Sequence, residues 1–285
     1  MGSEGVVWVT GVSGDLGGWL VKALEQNAGV KCAVIRYWEI DEPHLLRLAA
    51  KYGRLDAVFH VGGLVALDVT ESDPSATVTA NVQQTNRLLS SLSMLSKIAQ
   101  IEPWACVVST GHVYAKSTDR LTEESPVHPR SAYAWSKLQA EQWALRSGLP
   151  VFIPRVFSIT SPKQKPSFAV PSFARAIRSG TAKLGWLGGE RDFLDTRDVA
   201  RALILAWEKR LIGVYNVCQG VGVEMSSIVR IFSGWRGAII TTDAEPRPDD
   251  IQRIVGDPRK FQEATGFRPE IPWEQTLRDV WEAAK

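Results

Sequence analysis

The most constraining feature of this chain is the run Thr10-Gly11-Val12-Ser13-Gly14-Asp15-Leu16-Gly17, set directly between the β-branched stretch Val6 to Thr10 and an amphipathic stretch from Leu16 to Gln26. Glycines at such a strand-to-helix corner permit a tight turn, let the backbone approach a pyrophosphate, and let the helix lie close to the sheet. The first helical amides and the helix dipole then favour an anion. Alone, this spacing also fits a purely structural turn. Between a strand and a helix near the N-terminus it predicts a dinucleotide site, with Gly11, Gly14, Asp15, Leu16 and Gly17 around the phosphates.

The alternation continues beyond the turn. Apolar runs at Cys32 to Arg36, Ala57 to Val61, Trp104 to Ser109 and Val151 to Val156 are separated by helical stretches at Ser75 to Ala99 and Ala132 to Arg146. That order predicts an α/β fold with a Rossmann-like, doubly wound parallel sheet. A short run, Trp38 to Asp41, reads as a strand, but almost nothing separates it from Arg36, and a parallel crossover needs a dozen residues or more. The sheet is therefore expected to be abbreviated on the side of the second strand. After Phe157 the composition turns to Ser, Pro and Lys and the elements shorten. Residues 1–157 are read as the dinucleotide-binding domain and residues 158–285 as a smaller, mainly substrate-binding C-terminal lobe. Residues 193–219, with a helix from Arg197 to Lys209 and a strand from Val214 to Val217, are expected to pack back on the first domain.

A length of 285 residues and a net charge of +2 with both signs interspersed allow a full core and give no field that would point to nucleic acid or an anionic membrane as partner. No apolar stretch approaches the roughly 20 residues of a membrane span, and no leader precedes the first strand, so a cytoplasmic protein is expected. Cys32, Cys106 and Cys218 are far apart in apolar runs and read as buried thiols; no metal site is expected. Eleven tryptophans are scattered with no functional pattern.

Two places carry chemistry beyond the turn. Where an acidic residue would hold the ribose of NAD, the second strand ends in Arg36, which suits a 2′-phosphate; Asp41 is placed on the same adenosine side. NADPH is thus the expected cofactor, with NADH possible. Tyr133-Ala134-Trp135-Ser136-Lys137 puts a phenol and an ammonium four apart on one helical face, where the cation is expected to lower the phenol pKa. A strand ending in Ser109-Thr110 precedes it and offers a hydroxyl to the same substrate oxygen. His44, His60 and His128 read as structural or solvated, whereas His112 sits two residues beyond Thr110 at the mouth of the expected site.

The glycine turn, Asp56-Ala57-Val58-Phe59-His60-Val61-Gly62-Gly63, Asn81-Val82-x-x-Thr85, Ser109-Thr110-Gly111-His112-Val113-Tyr114 and Tyr133-x-x-x-Lys137 resemble, in order, the extended short-chain dehydrogenase/reductases that act on nucleotide sugars. The resemblance implies that Tyr133 is the acid/base, that Lys137 holds the nicotinamide ribose and tunes it, and that Thr110 bonds the reacting oxygen. It places Val61, Gly62, Gly63 and Asn81 at the cofactor. Arg191-Asp192-Phe193-Leu194-Asp195, Val214-Tyr215-Asn216, Arg247-Pro248-Asp249-Asp250 and Gly266-Phe267-Arg268-Pro269 look most like the GDP-4-keto-6-deoxy-D-mannose reductases of that family. There, arginines matching Arg191 and Arg247 grip the substrate diphosphate, which suits bidentate guanidinium chemistry. His112 and Ser158 are the other implied substrate contacts, although Ser158 stands where the family usually has Asn.

The reaction implied is hydride delivery to C4 of a nucleotide-linked 4-keto-6-deoxy sugar. The related dehydratases carry Asp-Glu where this chain has Gly111 and His112, and the epimerase-reductases need a second group where it has Phe168. A 4-epimerase with bound NAD is the alternative, an epimerase-reductase is less favoured, and the Tyr/Lys pair argues against a non-catalytic NADP sensor. Homodimers through two long helices are common in the family and are expected here.

Overall fold

The structure is a computed structural model and describes residues 5–27, 30–180, 184–237 and 252–284. The elements in chain order begin with β1 (Val6–Thr10), α1 (Asp15–Asn27), β2 (Lys31–Ile35), α2 (Glu42–Tyr52), β3 (Ala57–His60), α3 (Leu67–Ser72), α4 (Pro74–Val78) and α5 (Gln84–Ala99). They continue with β4 (Trp104–Val107), β5 (Ser109–Thr110), α6 (Ala132–Arg146), β6 (Val151–Val156), β7 (Ser158–Thr160), α7 (Ala169–Ser179), β8 (Glu190–Asp195) and α8 (Thr196–Glu208). The last are β9 (Gly213–Val217), β10 (Gly222–Glu224), α9 (Met225–Arg236), β11 (Arg253–Ile254), α10 (Arg259–Thr265) and α11 (Trp273–Ala283).

The larger sheet is all parallel, running β2-β1-β3-β4-β6 with β9 beyond β6. Ala105 faces Val151 and Ser109 faces Arg155, the same offset, so β4 and β5 are one strand interrupted at Val108. Strand alternation fills both faces of this sheet. Val7 and Val9 join Leu20, Leu24, Val199 and Leu203 under α1 and α8, while Val6 and Trp8 join Leu45, Leu88 and Leu92 under α2 and α5. A sheet covered on both sides needs apolar residues on both, and for that reason its strands read as continuous apolar runs. The doubly wound reading is borne out.

One predicted element is corrected. Trp38 to Asp41 is no strand: Tyr37–Glu39 forms a 3-10 turn, and Asp41 caps α2 by accepting from His44 N at 2.7 Å. Pro43 in the first turn and left-handed Gly53 at the end bound that helix. This missed helix is the crossover that carries the chain from β2 to β3. Among the described residues β2 pairs only with β1, so the sheet does stop there.

A second, four-stranded sheet of β10, β8, β11 and β7 follows, with α7, α9 and α11 enclosing a separate core of Val170, Ile177, Phe193, Ile228, Phe232 and Leu277. α8 leaves this sheet directly from β8 and packs against α1 on the first one. Several tryptophans belong to these cores. Trp104 stacks on Phe152 beneath the large sheet, and Trp235 and Trp281 pack around Phe232 in the small one.

Candidate active site

Parallel strands bring their carboxyl ends to one edge, where α/β folds hold their ligands. Thr10 pairs with Ile35 on one side and His60 on the other, and His60 with Val107. Arg36, Gly11, Val61 and Val108 therefore follow one another along that edge.

The turn fits a dinucleotide on its own geometry. Gly11 has φ +74°, and a Cβ there would lie 2.5 Å from the Gly62 Cα; one on Gly17 would lie 2.2 Å from the Gly11 carbonyl oxygen. At these positions the three segments are packed too closely for side chains. First-turn amides of a helix have no partner within it. Gly14, whose N donates to the Gly11 carbonyl at 3.0 Å, lies exposed just before that first turn.

Beneath this turn runs a buried chain of hydrogen bonds. Gly62 N donates to Thr10 Oγ1 at 3.2 Å, and Thr10 Oγ1 pairs with His60 Nδ1 at 2.9 Å. His60 Nε2 meets Thr85 Oγ1 at 2.8 Å, which donates to the Asn81 carbonyl at 2.7 Å. The donor order leaves His60 neutral with its proton on Nε2, and burial beside Lys137 pushes its pKa down to about 3. His60 is structural, as the sequence suggests.

Asn81 then reaches the site. Its side-chain amide accepts from Leu64 N at 2.8 Å and donates to the Leu64 carbonyl and to Ser136 Oγ, both at 2.9 Å. It thereby holds the Val61-Gly62-Gly63-Leu64 segment against α6. A Cβ on Gly63 would lie 2.6 Å from Asn81 Oδ1 and 3.5 Å from Lys137 Nζ, so the glycine keeps that approach open.

On α6, capped by Ser131 Oγ accepting from Ala134 N at 3.1 Å, Tyr133 and Lys137 share one face. The Tyr133 hydroxyl is hydrogen-bonded to Thr110, at the end of β5. Lys137 is buried and donates to the Val108 carbonyl at 2.9 Å, the very residue at which β4 and β5 part. The ammonium occupies an acceptor left out of the sheet ladder. Burial lowers the Lys137 pKa to about 8, with Glu141 opposing. One expectation fails here: Tyr133 is pushed up to about 12, because burial outweighs the Thr110 hydrogen bond and the ammonium is engaged at Val108. Tyr133 is thus held protonated, a proton donor in waiting.

His112 stands edge-on to Tyr133, with ring centres 6.5 Å apart. Burial and then the nearby Arg191 cation lower its pKa to about 4, so it is neutral near pH 7. Arg191, reaching from β8 in the second sheet, consequently belongs to the same cleft; its Nη1 donates to the Glu190 carbonyl at 3.0 Å. Ser158 opens β7 immediately after Phe157 and pairs with Phe193, two residues beyond Arg191. Thr110, His112, Tyr133, Lys137, Asn81 and Arg191 thus converge from elements far apart in sequence.

Other expected site residues stand apart or are otherwise engaged. Arg36 is exposed at the end of β2, its guanidinium 5.8 Å from the Trp38 ring centre. The Asp41 carboxylate serves as the α2 cap, a sufficient reason for its presence. The Asp15 carboxylate is held by Ser161 and Thr196, so only its backbone is available to a phosphate. Phe168 is the half-buried residue preceding α7 and supplies no acid or base. Arg247 lies outside the described residues. Among the described residues no cluster of three metal-ligating side chains occurs and no helix is long and apolar enough to cross a membrane.

Sequence reasoning missed the support behind the site. Glu141, one turn beyond Lys137, accepts from Arg155 at 3.0 and 2.7 Å and from Ser109 Oγ, the neighbour of Thr110. An arginine inside the apolar run Val151 to Val156 was the available signal, since a buried charge requires a partner.

Residues 7–218 match the family described as "NAD dependent epimerase/dehydratase family". The chain is 30% identical over 249 residues to GDP-6-deoxy-D-mannose reductase of Pseudomonas aeruginosa, covering 80% of this chain and 81% of that protein. It is 26% identical over 249 residues to UDP-glucose 4-epimerase of Mycolicibacterium smegmatis, covering 82% and 77% respectively. The solved structure of RMD from Pseudomonas aeruginosa complexed with NADPH superposes with a TM-score of 0.84 at 29% identity, over 98% of each chain.

Proposed function

Because the chain belongs to the NAD dependent epimerase/dehydratase family, we propose that it is an NADPH-dependent reductase of a nucleotide-linked 4-keto-6-deoxy sugar, a GDP sugar first among candidates. The observation that carries the reading is the donor set around Tyr133. Among the described residues it holds a protonated phenol, a hydroxyl and a neutral imidazole, so His112 alone stands beside Tyr133 where dehydration or epimerisation at C3 and C5 would need two further acid/base groups.

A bound nicotinamide would supply the hydride. The protein's own residues do the rest. Tyr133 donates its proton to the alkoxide that develops at C4, and Thr110, already on the phenol, bonds the same oxygen. Lys137, fixed on Val108 within reach of Gly63 and Asn81, is placed to hold the nicotinamide ribose. The turn from Gly11 to Gly17 receives the pyrophosphate, and Arg36 reads the 2′-phosphate. Arg191 and Arg247 take the substrate diphosphate, with His112 and Ser158 beside the sugar. A 4-epimerase with tightly held NAD is the second reading, favoured by the likeness to the mycobacterial UDP-glucose 4-epimerase. Trp135 and Trp143, eight residues apart on α6 and 45% exposed each, with Ile98 66% exposed on α5, offer the surface for the expected homodimer. We assign residues 158–285 mainly to the substrate lobe and place the protein in the cytoplasm.

GDP-, dTDP-, UDP- and CDP-linked 4-keto-6-deoxy sugars, each assayed for NADPH oxidation in deuterated water, test the proposal. One NADPH consumed per sugar, with no deuterium on C3 or C5 of the product, is the expected result. Deuterium at either carbon refutes simple reduction. Interconversion of C4 epimers without net cofactor consumption would establish the epimerase.

A further inference from the structure

An aspartate in a diphosphate-binding turn is out of place electrostatically, because its charge repels the ligand. In this chain the Asp15 carboxylate is turned to other partners. Its Oδ1 accepts from Ser161 Oγ at 2.6 Å and its Oδ2 from Thr196 Oγ1 at 2.8 Å. Both hydroxyl residues are fully buried. Ser161 lies in the segment after β7, on the substrate side of the cleft, and Thr196 begins α8 directly after the strand that carries Arg191.

The contact is reinforced one turn along α1. Trp19, four residues on and so on the same helical face, donates from Nε1 to the same Ser161 oxygen at 3.3 Å, and Lys163 N donates to it at 3.1 Å. The Trp19 ring is covered by Lys163 Nζ at 4.3 Å from its centre, with Arg197 at 5.7 Å. Ser161 thus makes one hydrogen bond as donor and two as acceptor, which exhausts a hydroxyl. Any displacement of the first turn of α1 must be followed by the segment holding Ser161, or these buried bonds break.

We propose that Asp15 is a positioning residue that couples the dinucleotide turn to the substrate side of the cleft, so that cofactor binding orders the segment from Ser158 to Phe168. The inference rests on the dinucleotide reading of the turn. It adds a role for the carboxylate, and it makes the two ligands bind cooperatively, cofactor favouring substrate and the reverse.

Hydrogen–deuterium exchange of the full chain with and without NADPH, or NADH should that bind better, tests this without any sugar substrate. In the wild type, the dinucleotide slows exchange in peptides covering both 11–17 and 158–168. In Ser161→Ala, protection of 11–17 remains while that of 158–168 falls by about fivefold or more, the low end of ordinary coupling between sites. Ser161→Thr, which keeps the hydroxyl, restores it and guards against a merely misfolded alanine variant. Protection of 158–168 unchanged in Ser161→Ala overturns the proposal, as does wild-type protection confined to 11–17. Failure of either dinucleotide to protect 11–17 in the wild type overturns the dinucleotide reading itself, and the coupling with it.

Discussion

Glu141→Gln gives the sharpest test of how the catalytic strand is held. In the wild type Glu141 and Arg155 are almost wholly inaccessible, with side chains 1% and 8% exposed. The carboxylate receives two guanidinium hydrogen bonds and the Ser109 hydroxyl, while Arg155 also lies 4.7 Å from the centre of the Tyr114 ring. A glutamine has the same shape but leaves a buried guanidinium without its counter-charge, which typically costs about 3–5 kcal/mol. Native stabilities are only about 5–15 kcal/mol, so this is a large share. With each kcal/mol worth roughly 2–4 °C in a chain of this size, Tm should fall by about 6–20 °C. Activity should move as well, because Glu141 is the carboxylate that supports the charge on Lys137. Without it the Lys137 pKa drops below about 8, and the alkaline limb of the kcat profile shifts to lower pH. Replacing both partners together, Glu141→Met with Arg155→Leu, should recover most of the stability but not the pH profile, since an apolar pair leaves no buried charge. Calorimetry and pH–rate measurements on the three proteins decide it. A Tm change under about 2 °C in Glu141→Gln would refute the buried pair, and an unmoved alkaline limb would refute its link to Lys137.

Three further outcomes are expected. Tyr133→Phe should bind dinucleotide nearly as the wild type does but lose roughly 10² to 10⁴ in turnover, the usual worth of a positioned acid/base; stopped-flow single-turnover rates measure it, and wild-type turnover would remove Tyr133 from the mechanism. Arg36→Ala should lower kcat/KM for NADPH relative to NADH, since Arg36 is the exposed cation at the end of β2; an unchanged ratio would mean that another group, or none, reads the 2′-phosphate. Acid should destabilise the fold through His60, whose pKa of about 3 in the folded state lies below its ordinary 6.5. The unfolded chain then binds more protons, so this contribution is complete above about pH 6.5 and is lost as pH falls towards about 3, at up to about 1.4 kcal/mol per pH unit. Urea denaturation between pH 7 and pH 4 should show a shallower acid loss in His60→Asn than in the wild type, and equal slopes would contradict the buried neutral imidazole.

Much of the architecture follows from residues that are near one another in sequence. The glycine turn, the two-sided apolar strands and the Ser131-capped helix with Tyr133 and Lys137 each express a local rule of sterics or periodicity, and each is legible before any fold is known. Trp38 to Asp41 misled because four apolar and polar residues alternate as well in a 3-10 turn as in a strand, and the α2 cap at Asp41 outweighs the pattern. Tyr133 misled in a different way. Spacing shows that an ammonium lies four residues on, but only the tertiary structure decides where it points, and Val108 claims it. The pairing of Glu141 with Arg155, the chain from Gly62 through His60 to Thr85, the approach of Arg191 to His112 and the hold of Ser161 and Thr196 on Asp15 join positions from 14 to 181 residues apart. Periodicity carries no information over such separations. Those contacts exist because parallel strands gather their carboxyl ends at one edge, where burial strips water from polar groups and obliges each to find a partner in whatever element the fold has brought beside it.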